Sequence, residues 1–574
     1  MPLLRTVKRI LVGVLATIGA LALLVAIGMA GVAWYLLPGE PDLPDRMVLT
    51  LDLRGGIDEI ASDDPLTALA VGWQPTLADV VMALDRAGAD ERVAGLLVRL
   101  DGEGPGLAQL QELRAAVQRF RDQGKQAVAH ADSFGEFGPG NSGYYLASAF
   151  EQIELQPIGA LGLTGLMLET PLARGLFDKL GILPAGDRRG IYKTFYDTLT
   201  ESSLTPAHRE FLESLATSLY AQFKEGLSEG RGIDLAAMTR LIDDGPYVAP
   251  EALSLGLVDR LSYWDETLDR ALQQAGEDSA PVDLLDYAWS LEPSAEGSVV
   301  ALVYGVGQIA RGNSEQSPLG GWVMGGDSVA GALADAIDDP DVEAILFRID
   351  SGGGSAVASD TIGHQVRRAI EHDKPVIVSM GNVAASGGYW IAMDASKIVA
   401  APGTLTGSIG VVAGKPVLAE LYRDLGVNWG RVGRGANADM WTTTENYSER
   451  GRARLEAFLD WAYHSFTAGV ARGRDMPQDE VLRVAEGRVW TGAQARERGL
   501  VDQLGGFADA LAVTRQEIGL EADEPIELRR FPQPRTLWEH ALHYLVAAPF
   551  RLSIDAWLER LTPGALTTPP IVIR

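Results

Sequence analysis

The stretch AAPGTLTGSIGVV, residues 400–412, decides how this chain is read. Ser408 lies between Gly407 and the Ile409-Gly410 pair, with an apolar strand pattern over 397–400 before it and another apolar run after it. Flanking glycines let a substrate backbone approach a side-chain hydroxyl, and a backbone N–H aimed at the same space can hold an oxyanion. Alone, Thr-Gly-Ser is an ordinary polar turn. What singles this one out is that the chain contains the segment twice and carries the serine in only one copy.

The duplication runs through most of the chain. Residues 47–57 (MVLTLDLRGGI) parallel 299–309 (VVALVYGVGQI), and 89–101 (ADERVAGLLVRLD) parallel 340–350 (PDVEAILFRID). A helical pattern over 109–120 matches one over 360–370, KQAVAHA (125–131) matches KPVIVSM (374–380), and SGYYLA (142–147) matches GGYWIA (387–392). YVAPEALSLGLVDRL (247–261) matches WTGAQARERGLVDQL (490–504). Apolar strands alternating with helices predict layered α/β domains, and the repeat predicts two of them.

Aligning the halves pairs Pro157 with Pro402, Gly162 with Gly407 and Gly165 with Gly410, so Ser408 faces Leu163. In the same register Arg189-Gly190 pairs with Arg434-Gly435, and Lys193 of RRGIYKTF faces Ala438. One half keeps a candidate nucleophile, the other a candidate base. Complementary polar losses predict one composite site across the halves.

A serine hydroxyl needs a base to attack a carbonyl at neutral pH. The seven histidines, at 130, 208, 364, 372, 464, 540 and 543, form no triad pattern with a glycine-flanked serine. Lysine can serve instead where burial removes its proton. On local sequence alone Lys193, beside Arg188 and Arg189, would read as a solvated surface residue.

At 574 residues the chain exceeds a single core. A formal charge of −28 and a pI near 4.7 argue against a nucleic-acid partner. The absence of cysteine excludes disulfides, thiolate metal sites and a cysteine nucleophile. Asp360/His364 and His540/His543 have helical spacing but supply too few ligands, so no metal is expected. No cofactor is expected either. Residues 10–37 are uncharged and follow Arg5, Lys8 and Arg9, while Glu40, Asp42 and Asp45 come after. The run is long enough to cross a bilayer, about twice a signal-peptide core, with Trp34-Tyr35 at the interface position.

The expected organisation is a cytoplasmic N-terminus (1–9), a transmembrane anchor (10–37), a linker (38–45), a first α/β repeat (46–290), a second (291–525) and a partly helical tail (526–574). The tail stretch LWEHALHYLVAAPFRLSIDAWLERL reads as a capping helix broken at Pro549, or as a membrane-surface or oligomer-contact helix.

Taken together, RIDSGGGS (348–355), KPVIVSMGNVAASGGYWIA (374–392), TLTGSIG (404–410), GIYKT (190–194) and VWTGAQARERGLVD (489–502) resemble the signal peptide peptidase A (protease IV) family in its long, duplicated, membrane-anchored form. The resemblance implies two tandem crotonase/ClpP-like superhelical domains, Ser408 as nucleophile, Lys193 as general base, and a homotetramer with apolar grooves. It also implies hydrophobic remnant signal peptides as substrates, and an inner-membrane protein with its catalytic domains on the extracytoplasmic side.

The chain departs from the family pattern twice. Ser351-Gly352-Gly353-Gly354-Ser355 stands where the family reads S-P-G-G-S, leaving the N–H groups of Gly353 or Gly354 as oxyanion candidates beside that of Ser408. A family hydroxyl beside the lysine has no counterpart in 427–440, which contains neither Ser nor Thr. Ser386, in AASGG, resembles the nucleophile motif of ClpP-type proteases, but in the present family that serine is not the nucleophile and its glycines suit close helix–strand packing.

Acyl-thioester chemistry of the crotonase type is the competing reading, but it calls for a basic coenzyme surface that suits a strongly acidic chain poorly. A non-catalytic scaffold is the third, and the retained Ser408 and Lys193 weigh against it. The anchor reading predicts that the full chain stays with membranes through a high-salt wash, while residues 46–574 are soluble and cleave short peptides. A mature chain beginning near Gly31 would make the run a cleaved signal.

Overall fold

The computed structural model describes residues 13, 43–60, 76–102, 104–276, 278–290, 297–316, 321–522, 524–533 and 572–573. The anchor expected at 10–37, apart from Gly13, and the tail over 534–571 lie outside the described residues. Among the described residues no helix is long and apolar enough to cross a membrane.

Runs such as VAGLLVRL and VEAILFRIDS centre on apolar residues and are almost continuously buried, as in strands covered on both faces. In the first half they build β1 (Met47–Asp52), β2 (Val93–Leu100), β3 (Gln126–Ala131) and β4 (Gln152–Leu155). β5 (Leu183–Arg189) stands apart, and β6 (Arg260–Leu261) and β7 (Ala280–Asp283) complete the sheet. The strand order is β7-β1-β2-β3-β4-β6, all parallel.

The second half repeats this plan with β8 (Ser298–Val306), β9 (Val342–Ser351), β10 (Val376–Ala385), β11 (Lys397–Ala400), β12 (Leu405–Gly407), β13 (Val411–Val417), β14 (Val489–Thr491), β15 (Gln503–Leu504) and β16 (Ile526–Phe531). Its parallel order is β16-β8-β9-β10-β11-β15. From β10 the sheet also forks to β12, which pairs antiparallel with β14. Matching order in the two sheets is the structural form of the sequence duplication. β16 corrects the expected tail boundary: residues 526–531 pair with β8 as the counterpart of β7, so they belong to the second sheet.

The helices correspond too. α1 (Leu77–Ala89) packs on α2 (Leu107–Asp122), and the long α3 (Pro206–Arg231) follows β5. In the second half α4 (Gly326–Asp338) packs on α5 (Ala356–Glu371), the short α6 (Gly387–Ala392) follows β10, and α7 (Glu449–Gly473) matches α3. Both long helices start at a hydroxyl cap: Thr205 accepts the His208 N–H and Ser448 accepts the Gly451 N–H.

A buried ionic junction joins the halves. Arg348 on β9 donates to Glu59 at 2.9 and 2.8 Å, to Glu112 on α2 at 3.2 and 2.8 Å, and to the Ser379 hydroxyl at 2.9 Å. Gln109 donates to Glu59, Asn382 donates to Gln109, and the Phe507 N–H donates to Glu112 at 2.7 Å. Burial raises the Glu112 carboxyl above its ordinary range, while the two carboxylates hold Arg348 firmly charged against burial. Arg348→Met strands two carboxylates in the interior and should lower stability by about 3–5 kcal/mol in chemical denaturation. Burial already raises the Glu112 carboxyl, and without Arg348 nothing offsets it, so its folded-state pKa lies above that of the unfolded chain and the loss should deepen as pH rises from 5 to 8. A variant as stable as the wild type across that range would contradict a junction that depends on this charge.

Candidate active site

β5 and β13 come from different halves and pair antiparallel, with Leu183 opposite Val417 and Arg189 opposite Val411. Their ribbon buries Ala185, Val411, Ala413 and Val417 against Leu455 and Leu459 of α7. Because the strands run in opposite directions, the chain leaving Arg189 meets the chain approaching Val411. That brings the Gly190–Lys193 turn onto the Ser408–Gly410 turn.

A third segment clamps the two turns together. Tyr192 N–H donates to the Glu486 carbonyl at 2.9 Å, Gly487 N–H to the Ile409 carbonyl at 2.8 Å, and Ser408 N–H to the Arg488 carbonyl at 2.7 Å. Glu486 (φ 57°) and Gly487 (φ 76°) both adopt left-handed backbone there. A Cβ on Gly487 would come within 2.7 Å of the Lys193 N and 2.8 Å of its Cβ, so only glycine admits the lysine so closely.

Lys193 is 0% exposed and Ser408 1%. The Lys193 Nζ lies 3.0 Å from the Ser408 Oγ, 3.1 Å from the Ser408 carbonyl oxygen and 2.8 Å from the Ser386 Oγ. Burial alone pushes the ammonium down to about 7. Arg188 donates to the Lys193 carbonyl at 3.2 Å and is neutralised by Asp197 at 2.5 Å, so its charge is held by the backbone side of the turn. No histidine among the described residues hydrogen-bonds to Ser408 or Ser386. Asp360 and His364 are exposed on α5, and His540 and His543 lie outside the described residues.

The expected composite is therefore assembled in space, and its counterpart is not. Leu163 is buried in the first core, and Ala438 lies in an exposed segment. The oxyanion candidates need correcting. The Ser408 N–H is committed to Arg488, because the β12–β14 ladder continues one residue past Gly407–Val489. The Gly353 N–H is committed to the Ser351 hydroxyl at 3.1 Å. Among the described residues the N–H groups of Gly354 and of Ile409, the residue after Ser408, have no hydrogen-bond partner.

A groove of about 470 Å³ is lined by Val306, Trp322, Asp350, Gly352, Gly353 and Val383, of which Gly353 lies against Ser386. Burial raises the Asp350 carboxyl to about 7, and it accepts the Val383 N–H at 2.9 Å.

Two contributions escape sequence reasoning. The Glu486-Gly487 clamp had one visible sign, a glycine just before VWTG. The Ser386 hydroxyl had another, a polar residue directly preceding the helix that matches 142–147.

Residues 119–278 and 368–521 match Peptidase family S49. The chain is 31% identical over 498 residues to the "Serine protease SPPA, chloroplastic" of Arabidopsis thaliana, a match covering 85% of this chain and 72% of that one. To "Protease 4" of Salmonella typhi it is 31% identical over 491 residues, covering 81% and 78%. To "Protease 4" of Haemophilus influenzae it is 29% identical over 470 residues, covering 78% and 74%. With one matched segment in each repeat and relatives similar over most of its length, the chain belongs to Peptidase family S49 and, with that family, to the serine proteases.

Proposed function

We propose that Ser408 and Lys193 are the nucleophile and general base of a membrane-anchored endopeptidase that degrades hydrophobic signal peptides after their release by secretion. The observation that carries this reading is the 3.0 Å approach of a fully buried lysine nitrogen to a glycine-flanked serine hydroxyl contributed by the other half of the chain. With Nζ held down to about 7 by burial, a substantial share is neutral near physiological pH.

The neutral amine takes the Ser408 proton as Oγ attacks the peptide carbonyl carbon. The Ile409 and Gly354 N–H groups receive the oxyanion, in the manner of turns where the donor follows the nucleophile. Lys193 then passes its proton to the departing amine, leaving an acyl-enzyme. Water, deprotonated by the same amine, releases the acid.

The groove lined by Val306, Trp322 and Val383 suits apolar side chains. An anchor over 10–37 would keep the site near peptides left in the inner membrane, with the catalytic halves on the extracytoplasmic side. The tandem crotonase/ClpP-like superhelix is the fold family proposed for the two layered halves. A homotetramer is proposed as well: residues 428–434, the counterpart of β5, are exposed and include Trp429 at 58% and Val432 at 92%, an edge that a second copy could cover.

A serine-directed phosphonate should label Ser408, and Ser408→Ala should abolish both labelling and cleavage. The kcat/KM should rise with pH through about 7 as Lys193 loses its proton, and fall on the acid side. Lys193→Arg should remain inactive, since guanidinium keeps its proton at these pH values. Full activity in Lys193→Arg, or labelling that persists in Ser408→Ala, would sink the pair.

A further inference from the structure

Ser386 has no part in the scheme above, yet it makes the shortest contact to the Lys193 nitrogen. Its place follows from strand register. β10 and β12 are parallel with Ala385 opposite Gly407, so the residues that follow, Ser386 and Ser408, emerge side by side. The Ser386 N–H donates to the Gly407 carbonyl at 2.8 Å, which holds that arrangement. Ser386 adopts φ 56°, ψ −116° and is 0% exposed. A Cβ on Gly353 would come within 2.8 Å of the Ser386 Cβ, so the hydroxyl is confined from the other side as well.

A neutral amine carries two N–H bonds and one lone pair. With its hydrogens directed to the Ser386 Oγ at 2.8 Å and the Ser408 carbonyl at 3.1 Å, the lone pair is left facing the Ser408 hydroxyl at 3.0 Å. Without the first acceptor the amine is free to rotate and donate to Ser408, which turns the lone pair away. We propose that Ser386 is a positioning residue whose hydroxyl aims the Lys193 lone pair at Ser408. The inference rests on the Ser408–Lys193 reading above.

The first half supports it by contrast. Asn141, which aligns with Ser386, is the first residue of the matching helix (Asn141–Ala147), and its side chain ties the neighbouring turn, accepting the Thr164 N–H at 3.0 Å and donating to the Gly165 carbonyl at 2.8 Å. In the second half the shorter serine side chain turns to the lysine instead. It supplies a hydroxyl that 427–440 lacks.

The pH dependence separates positioning from packing. The ammonium has three N–H bonds for three acceptors, the amine only two, so the Ser386 hydroxyl favours the charged form. Removing it should move the acid limb of kcat to lower pH while the plateau falls. A looser, wetter pocket would move that limb upward, toward ordinary lysine behaviour.

The charged and titratable groups around the lysine turn are Arg188 with Asp197, Arg189 with Asp187 and Asp460, Arg488 with Glu210, Glu486, and the buried His208. None of them hydrogen-bonds to Nζ.

The test compares Ser386→Ala and Ser386→Gly in the full chain; glycine tolerates the positive φ without strain, which covers the case of an alanine variant that fails to fold. Both should lose kcat by about 10–100-fold with little change in KM. Both should show an acid limb displaced downward, with the phosphonate adduct still on Ser408. Unchanged kcat and limb, an upward-moving limb, or, in the wild-type chain, an adduct mapped to Ser386 would each overturn the proposal. Labelling that survives Ser408→Ala would instead fell the underlying pair, so the two failures are distinguishable.

Discussion

The antiparallel pairing of β5 with β13 is the constraint on which the site depends. It is a two-stranded ribbon contributed half by each repeat and packed on α7, and its register brings the lysine turn to the serine turn. Slipping that register by one residue would reverse which side chains face α7, so burial on one face specifies it strongly. The Glu486-Gly487 clamp then closes a space too small for any residue but glycine, and water is kept from the lysine.

Keeping that lysine neutral has a thermodynamic consequence. A folded-state pKa of about 7 against 10.5 for the free side chain means that the unfolded chain binds the proton more tightly. The difference costs roughly 5 kcal/mol of folding stability at pH 7 and below, and the cost shrinks as pH rises toward 10.5. Stability must therefore come from elsewhere, and the chain has it in two broad cores and in the Arg348 junction that fastens the halves. The arrangement divides the labour: the junction fixes how the repeats sit, and the turns at Gly487, Ser386 and Ser408, all with positive φ and strained at the two serines, shape the chemistry.

Much of this was legible in the residues, for identifiable reasons. A duplicated α/β pattern is written in apolar runs and glycine turns, and aligning the copies sets Ser408 against Leu163 and Lys193 against Ala438 without any structure. What orients the lysine was not legible. Ser386 and Ser408 become neighbours only through the parallel register of β10 and β12, and the clamp at 486–488 reaches both turns through backbone groups that any sequence carries. The Ser408 N–H was misread as a free oxyanion donor for the same reason. Whether a backbone N–H is free depends on the ladder beside it, and β14 engages that of Ser408.

The central claim is that the junction of the repeats holds a neutral lysine against a serine. The chain has eight lysines, few enough for their side-chain signals to be followed by NMR in enzyme labelled with 13Cε-lysine, with Lys193→Met giving the assignment. The account predicts that the Lys193 signal titrates near pH 7, well below the ordinary value of a free lysine side chain. A Lys193 signal that titrates with the surface lysines would contradict it.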